Sequence, residues 1–246
     1  MNKIPALTFA FWVMKICATT LGETAGDLLS MTLNVGYAFS SMILMAFFLV
    51  TLSLQLAAKK YVPLIYWLVI LSTSTAGTTM SDYMDRTLGL GYAKGSLILV
   101  TILLAVFSLW YYVERSLSVK DIKTFRAEAL YWTAILFSNT LGTALGDFLA
   151  DDSGLGFAGG ALFISAIILL VVLANRFTRI SKVLLFWVAF VLTRPLGATM
   201  GDLLTKSTEK GGMDFGTIGS SLILGAVLAG CVAWMTLRER RTPRPD

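Results

Sequence analysis

The sequence predicts an all-α polytopic membrane protein, with eight transmembrane helices arranged as four tandem parallel helical hairpins around a pseudo-symmetry axis along the membrane normal. Three observations carry this prediction. The chain is 56% hydrophobic and only 14% charged, with a mean hydropathy of +0.75, outside the range of ordinary soluble domains. Eight mostly apolar stretches, each near the ~20 residues needed to cross a bilayer, follow one another along the chain. One pattern of tryptophan, aspartate and glycine recurs four times.

The stretches are 5–29, 36–57, 62–82, 91–113, 127–148, 156–175, 183–203 and 216–237. They form a single transmembrane domain over 1–246, with repeats at 5–57, 62–113, 127–175 and 183–237. No soluble catalytic domain fits in the remainder. The first stretch runs on past Met14 without a small-residue cleavage site, so it reads as a retained helix and not a signal peptide. Cys17 and Cys231 fall inside helices and read as small core residues. Histidine is absent, which removes the commonest soft-metal ligand and the commonest general base.

Repeat by repeat, Trp12, Trp67, Trp132 and Trp187 each stand fifteen residues before an aspartate: Asp27, Asp82, Asp147 and Asp202. The aspartates close the segments GETAGD, GTTMSD, GTALGD and GATMGD. Nine residues later come Gly36, Gly91 and Gly156; in the fourth repeat the gap widens to fourteen, ending at Gly216. Every repeat enters the membrane in the same sense, so the copies are parallel and not inverted. Fourteen of the twenty Lys and Arg residues, including Arg238, Arg240, Arg241 and Arg244, fall on the side that holds both termini. Arg86, Lys94, Lys206 and Lys210 fall on the other. Both termini are therefore expected in the cytoplasm. The net charge of +5 follows this topology and does not point to nucleic acid.

Small residues recur at a spacing of four: Gly22 and Gly26, Gly77 and Ser81, Gly142 and Gly146, Gly197 and Gly201 on the odd helices. Gly36, Gly91, Gly156 and Gly216 begin a similar spacing on the even ones. Such pairs let helix backbones approach closely in lipid, and a tight contact within each hairpin is expected.

This pattern resembles the bacterial uncharacterised membrane-anchored proteins built of four tandem two-helix repeats, each with a characteristic tryptophan. The resemblance covers essentially the whole chain and implies a multi-pass protein of the bacterial inner membrane; it supplies no reaction. A fainter likeness links Glu23-Thr-Ala-Gly-Asp27 to the acidic E-x-G-D motif of calcium/manganese–proton antiporters. The spacing differs by one residue, and the other three repeats lack the glutamate.

Intramembrane acids are functional candidates by default. Asp27, Asp82, Asp147 and Asp202 are expected to converge on one axis as a candidate metal site, with Glu23 beside them. The contrary expectation is that they lie solvated at the outer headgroups or cap the even helices. Steps of four back from each aspartate give Glu23, Thr19 and Lys15; Thr78, Ser74 and Ile70; Thr143, Asn139 and Ile135; Ala198, Arg194 and Phe190. The column is polar outward and apolar inward in the middle repeats, which suits a cavity open to the outside with Thr78, Thr143 and Asn139 along it. The hydroxyls serve equally well bonded to their own i−4 carbonyls. Lys15 or Arg194 is expected to approach Glu23, Asp27 or Asp202 as counter-ion or coupling group. Pro195 should kink or interrupt its helix and free carbonyls. The tryptophans read as anchoring or packing residues.

The function expected from these features is transport of a small hard cation, manganese-like divalents favoured and proton coupling allowed, with the bilayer and the cation as partners and no bound cofactor. A non-transporting scaffold or sensor is the first alternative. An intramembrane aspartyl-type hydrolase is the second, disfavoured because the aspartates are fourfold equivalents and none follows Gly-x-Gly; no enzyme activity is expected. The oligomeric state is left open.

Overall fold

The computed structural model describes residues 3–241. Arg244, one of the basic residues counted above, lies outside them, as do the side chains of Arg240 and Arg241. Eight long helices make up the described chain: α1 Phe9–Asp27, α2 Tyr37–Ala57, α3 Pro63–Asp82, α4 Tyr92–Glu114, α5 Phe125–Asp147, α6 Gly156–Phe177, α7 Lys182–Thr205 and α8 Thr217–Arg241. Among the described residues there is no β-strand. Five of the helices, α2, α4, α6, α7 and α8, are long and apolar enough to cross a membrane.

The odd helices form a closed ring in which α1 packs on α3, α3 on α5, α5 on α7 and α7 on α1. The even helices stand outside. Their apolar residues at equivalent positions point away from the protein: Met42, Leu97, Leu162 and Leu222 are 58–72% exposed. Inside, α1, α3 and α5 are too polar to register as apolar spans. Helices enclosed by other helices need no apolar surface, so their Ser, Thr and charged residues are tolerated.

Two expectations are corrected here. The helices of one repeat do not form a tight hairpin; each even helix lies chiefly against the odd helix of the next repeat, α2 on α3, α4 on α5, α6 on α7, and α8 back on α1. The glycines of the odd helices likewise serve the ring and not the hairpin. A Cβ at Gly22 or Gly26 would strike Ser74 or Thr78 of α3, and one at Gly77 would strike Asn139 and Thr140 of α5. At Gly142 or Gly146 it would strike Arg194 or Ala198 of α7, and at Gly197 or Gly201, Thr19 or Glu23 of α1. The second correction concerns Gly36, Gly91, Gly156 and Gly216. A Cβ at any of these would meet nothing within 4 Å, and their φ lies between +66° and +81°. They open the even helices in a backbone conformation that L side chains rarely adopt, and no close neighbour demands a glycine there.

The turns explain that demand. In the first three repeats the α-helix gives way after its aspartate to a π-helical turn, Leu28–Thr32, Tyr83–Thr87 and Phe148–Asp152. Leu33, Leu88 and Ser153 donate to the carbonyls five residues back, at 2.8, 2.9 and 2.9 Å. Such turns concentrate at functional sites. The fourth repeat has none. α7 runs to Thr205 and the longer connection folds back on it, with Met213 N donating to Leu203 O at 2.7 Å and Phe215 N to Leu204 O at 2.9 Å. α7 is also continuous through Pro195, so of the expected kink or interruption the interruption does not occur.

At the opposite end an aromatic wheel closes the ring. The aromatic residue before each tryptophan touches the tryptophan of the following repeat: Phe11 with Trp67, Tyr66 with Trp132, Tyr131 with Trp187, and Phe186 with Trp12, at centroid distances of 5.5–6.1 Å. Edge and tilted contacts of this kind add to the stabilisation from burial alone. The repeated tryptophan is thus a ring-closing residue.

Candidate functional site

The ring gathers the polar column. All four aspartates are buried, as are Glu23, Thr19, Lys15, Thr78, Ser74, Thr143, Asn139 and Arg194. The convergence follows from the glycine stripes, which let neighbouring odd helices approach closely and turn the i, i+4 polar face of each inward.

At the outer end the aspartates are joined in two pairs. Arg86 contacts Asp82 (3.0 Å) on its own helix and Asp147 (3.1 Å) on the next. Lys206 contacts Asp202 (3.0 Å) and reaches on to Asp27 (2.5 Å). Both bases stand four residues after an aspartate, in repeats 2 and 4 only; Met31 and Asp151 hold the corresponding places in repeats 1 and 3. A fourfold scaffold therefore carries a twofold charge pattern. Burial alone would lower the Lys206 ammonium, but Asp202 and Asp27 hold it well above its ordinary value. These contacts leave the four aspartates only 2–3% exposed, where the sequence suggested an open cavity.

One turn inward lies the buried pair of Glu23 and Arg194, at 2.9 Å. Arg194 Nη2 also donates to Thr78 Oγ1 (2.5 Å) and Thr143 Oγ1 (2.7 Å). Its Nε and Nη1 are buried without a hydrogen-bond partner, as is Asp147 Oδ1. Oxygens of Glu23, Asp147 and Asp202 lie within 4.8 Å of one another, close enough to share one metal ion. Of the four aspartates expected as a metal set, this group takes in Asp147 and Asp202, with Glu23 beside them, while Asp27 and Asp82 fall outside it.

Further in, Lys15 Nζ lies 3.4 Å from Asn139 Oδ1 and 4.4 Å from the Phe190 ring centre. Asn139 in turn donates to Thr73 Oγ1 at 2.9 Å. Lys15 therefore does not pair with a carboxylate, and of the two expected counter-ions only Arg194 reaches Glu23. The hydroxyls divide as the sequence allowed. Thr78 and Thr143 receive Arg194 while also bonding their own i−4 carbonyls, at 3.2 and 3.4 Å.

Sequence reasoning missed Arg86 and Lys206, assigning them to outer loops, and missed the aromatic wheel as a ring contact. The same count of four finds both. One step beyond each aspartate gives Met31, Arg86, Asp151 and Lys206, and one step inward of the polar column gives Phe11, Tyr66, Tyr131 and Phe186.

The family comparison fits this architecture. A family model described as a repeat of unknown function (DUF347) matches four times, over 10–61, 65–116, 130–181 and 185–241. The chain belongs to the DUF347 repeat family. Each DUF347 match takes in one odd helix and the even helix that follows, so the family repeat runs from one wheel tryptophan to the far end of an outer helix. No curated protein and no solved structure matches the chain.

Proposed function

We propose that this DUF347 protein crosses a bacterial inner membrane eight times, with both termini cytoplasmic, and moves a small hard cation through the ring of odd helices. The membrane reading is supported by the inside-out distribution of polarity. Exposed apolar belts of this extent are foreign to soluble monomers, and the charged residues Lys15, Glu23 and Arg194 are buried inside the ring instead.

One observation carries the transport reading. Among the described residues, five buried carboxylates, Glu23, Asp27, Asp82, Asp147 and Asp202, meet three bases in contact with them, Arg86, Arg194 and Lys206. Carboxylates held this close cannot all stay ionised without compensation. A deficit of two charges suits a divalent ion, or two protons in its place. The ligands are carboxylate and hydroxyl oxygens, so manganese, magnesium or calcium fit better than zinc or copper. A manganese-like ion is favoured. Glu23, Asp147 and Asp202 would hold the ion, and the spare donors of Arg194 would take over a carboxylate as it leaves.

The test is uptake into proteoliposomes across manganese, magnesium, calcium, sodium, potassium and protons, with Asp27, Asp82, Asp147 and Asp202 each changed to Asn. Loss of flux for one ion in Asp147→Asn and Asp202→Asn, with folding intact, is the expected result. Flux no greater than in empty liposomes would remove the proposal. The bridging of all four aspartates by Arg86 and Lys206 favours one rival, a static scaffold, which requires every variant to behave as the parent does.

A further inference from the structure

We infer that the segment 3–8, ahead of α1, is a hinged strap that closes the inner mouth of the helix ring, latched by Lys3 to Glu128, and that its release opens the ring from that side. This rests on the proposed transport function for its purpose, though its geometry stands without it.

The strap joins diagonally opposite helices of the ring. α1 packs on α3 and α7, so α5 is the helix diagonally opposite. Lys3 nevertheless bonds to the start of α5, its Nζ 2.7 Å from Glu128 Oε2. It also donates to Leu56 O (3.1 Å) at the end of α2, and Gln55 Nε2 donates to Glu128 Oε1 at 3.2 Å. Packed helices stand about 8–10 Å apart, so the diagonal of a four-helix ring is about 11–14 Å. The five steps from Thr8, which caps α1, back to Lys3 reach at most about 17 Å when extended. The diagonal is therefore within reach, even with the bend at Ile4 and the bond from Thr8 N to Ala6 O (2.8 Å) that shorten the segment.

Its burial pattern is that of a tip on a stem. Ile4 is 5% exposed and joins the core alongside Tyr61, Val119 and Ile122 of the inner connections. Ala6, Leu7, Thr8 and Phe9 are exposed. Tyr61 in turn stacks on Tyr66 of the aromatic wheel at 5.9 Å. Glu128 is itself buried, and among the described residues it would keep the Gln55 amide alone without the Lys3 ammonium. The bond that holds the tip down is thus also what neutralises a buried carboxylate. Breaking the pair costs both at once.

The experiment is thiol labelling of the full-length protein in detergent, with Cys17→Ser and Cys231→Ser as background and Ile4→Cys as reporter. A polar maleimide should label Ile4→Cys slowly beside an exposed Phe9→Cys control. Glu128→Gln or Lys3→Met should speed it about tenfold or more, the factor carried by one charge-assisted hydrogen bond. The inverted pair Lys3→Glu/Glu128→Lys should slow it again. Should Glu128→Gln fail to fold, Lys3→Met, at the more open partner, gives the same reading. Labelling of Ile4→Cys as fast as the control, or unchanged by unlatching, overturns the strap. Cation flux is followed in proteoliposomes of the same variants. A parent that transports while Lys3→Met transports at the same rate overturns the gating role. No flux in any preparation would instead remove the transport function, and with it the gate's purpose, while labelling still decides whether the strap exists.

Discussion

Arg194 of α7 and Glu23 of α1 meet at 2.9 Å in the middle of the ring, 171 residues apart in the chain and shut off from solvent. Removal of either partner from such a pair strands the other's charge, whereas replacement of both can be nearly neutral. Arg194→Met is expected to destabilise the protein by about 3–5 kcal/mol, and Arg194→Met/Glu23→Met to recover most of it. Thermal or denaturant melts in detergent measure both. A single variant as stable as the parent would mean that the pair is not buried as described.

Lys206 acts as a tethered competitor for Asp27 and Asp202. Lys206→Met leaves those carboxylates without their resident ammonium, so a divalent cation should bind about tenfold or more tightly. The rise in melting temperature on adding manganese should be larger in Lys206→Met than in the parent. An equal shift in both proteins contradicts competition at this position.

The glycines separate into two classes that alanine can tell apart. Gly197→Ala drives a methyl group into Thr19, backbone included, and is expected to cost about 1–3 kcal/mol as overpacking. Gly225→Ala, inside α8 with nothing within 4 Å, should be neutral or stabilise by about 0.5–1 kcal/mol. Melting temperatures of the two variants should move in opposite directions or by clearly different amounts; matched losses would contradict the ring packing.

Asp85, buried in the π-helical turn after α3, should give stability a pH slope. Burial raises its carboxyl to about 6, with the Ser81 hydroxyl and Arg86 pulling the other way. Between the ordinary 3.8 and about 6 the folded protein holds a proton that the unfolded chain has released. Stability from this group therefore grows as pH falls through that window and is lost as pH rises above it. Melting temperature at about pH 5 minus that at about pH 7.5 should be larger in the parent than in Asp85→Asn. Parallel curves would clear Asp85 of the effect.

Much of the candidate site was legible before any coordinates. The aspartates and the column behind them lie on one helical face by spacing alone, and all of them prove buried. Arg86 and Lys206 were hidden because they follow the apolar stretches, where a base reads as a loop residue. Only the π-helical turn after Asp82, and the run of α7 on to Thr205, bring them back over the acids. The role of Gly36, Gly91, Gly156 and Gly216 was misread for a related reason. A spacing of four looks the same whether the glycine serves close packing or a positive φ.

The sequence by itself determined what is local and periodic: eight helices, four repeats, the polar face of each odd helix and the apolar character of each even one. These follow from hydropathy and from the 3.6-residue turn, which act within one helix. Tertiary structure decided which helix meets which. It passed each even helix to the next repeat, paired the aspartates two by two, chose Arg194 over Lys15 as the partner of Glu23, and drew Lys3 across to Glu128. Those outcomes depend on how glycine stripes and aromatic side chains from four separate repeats fill one shared interior, a condition that no single repeat contains.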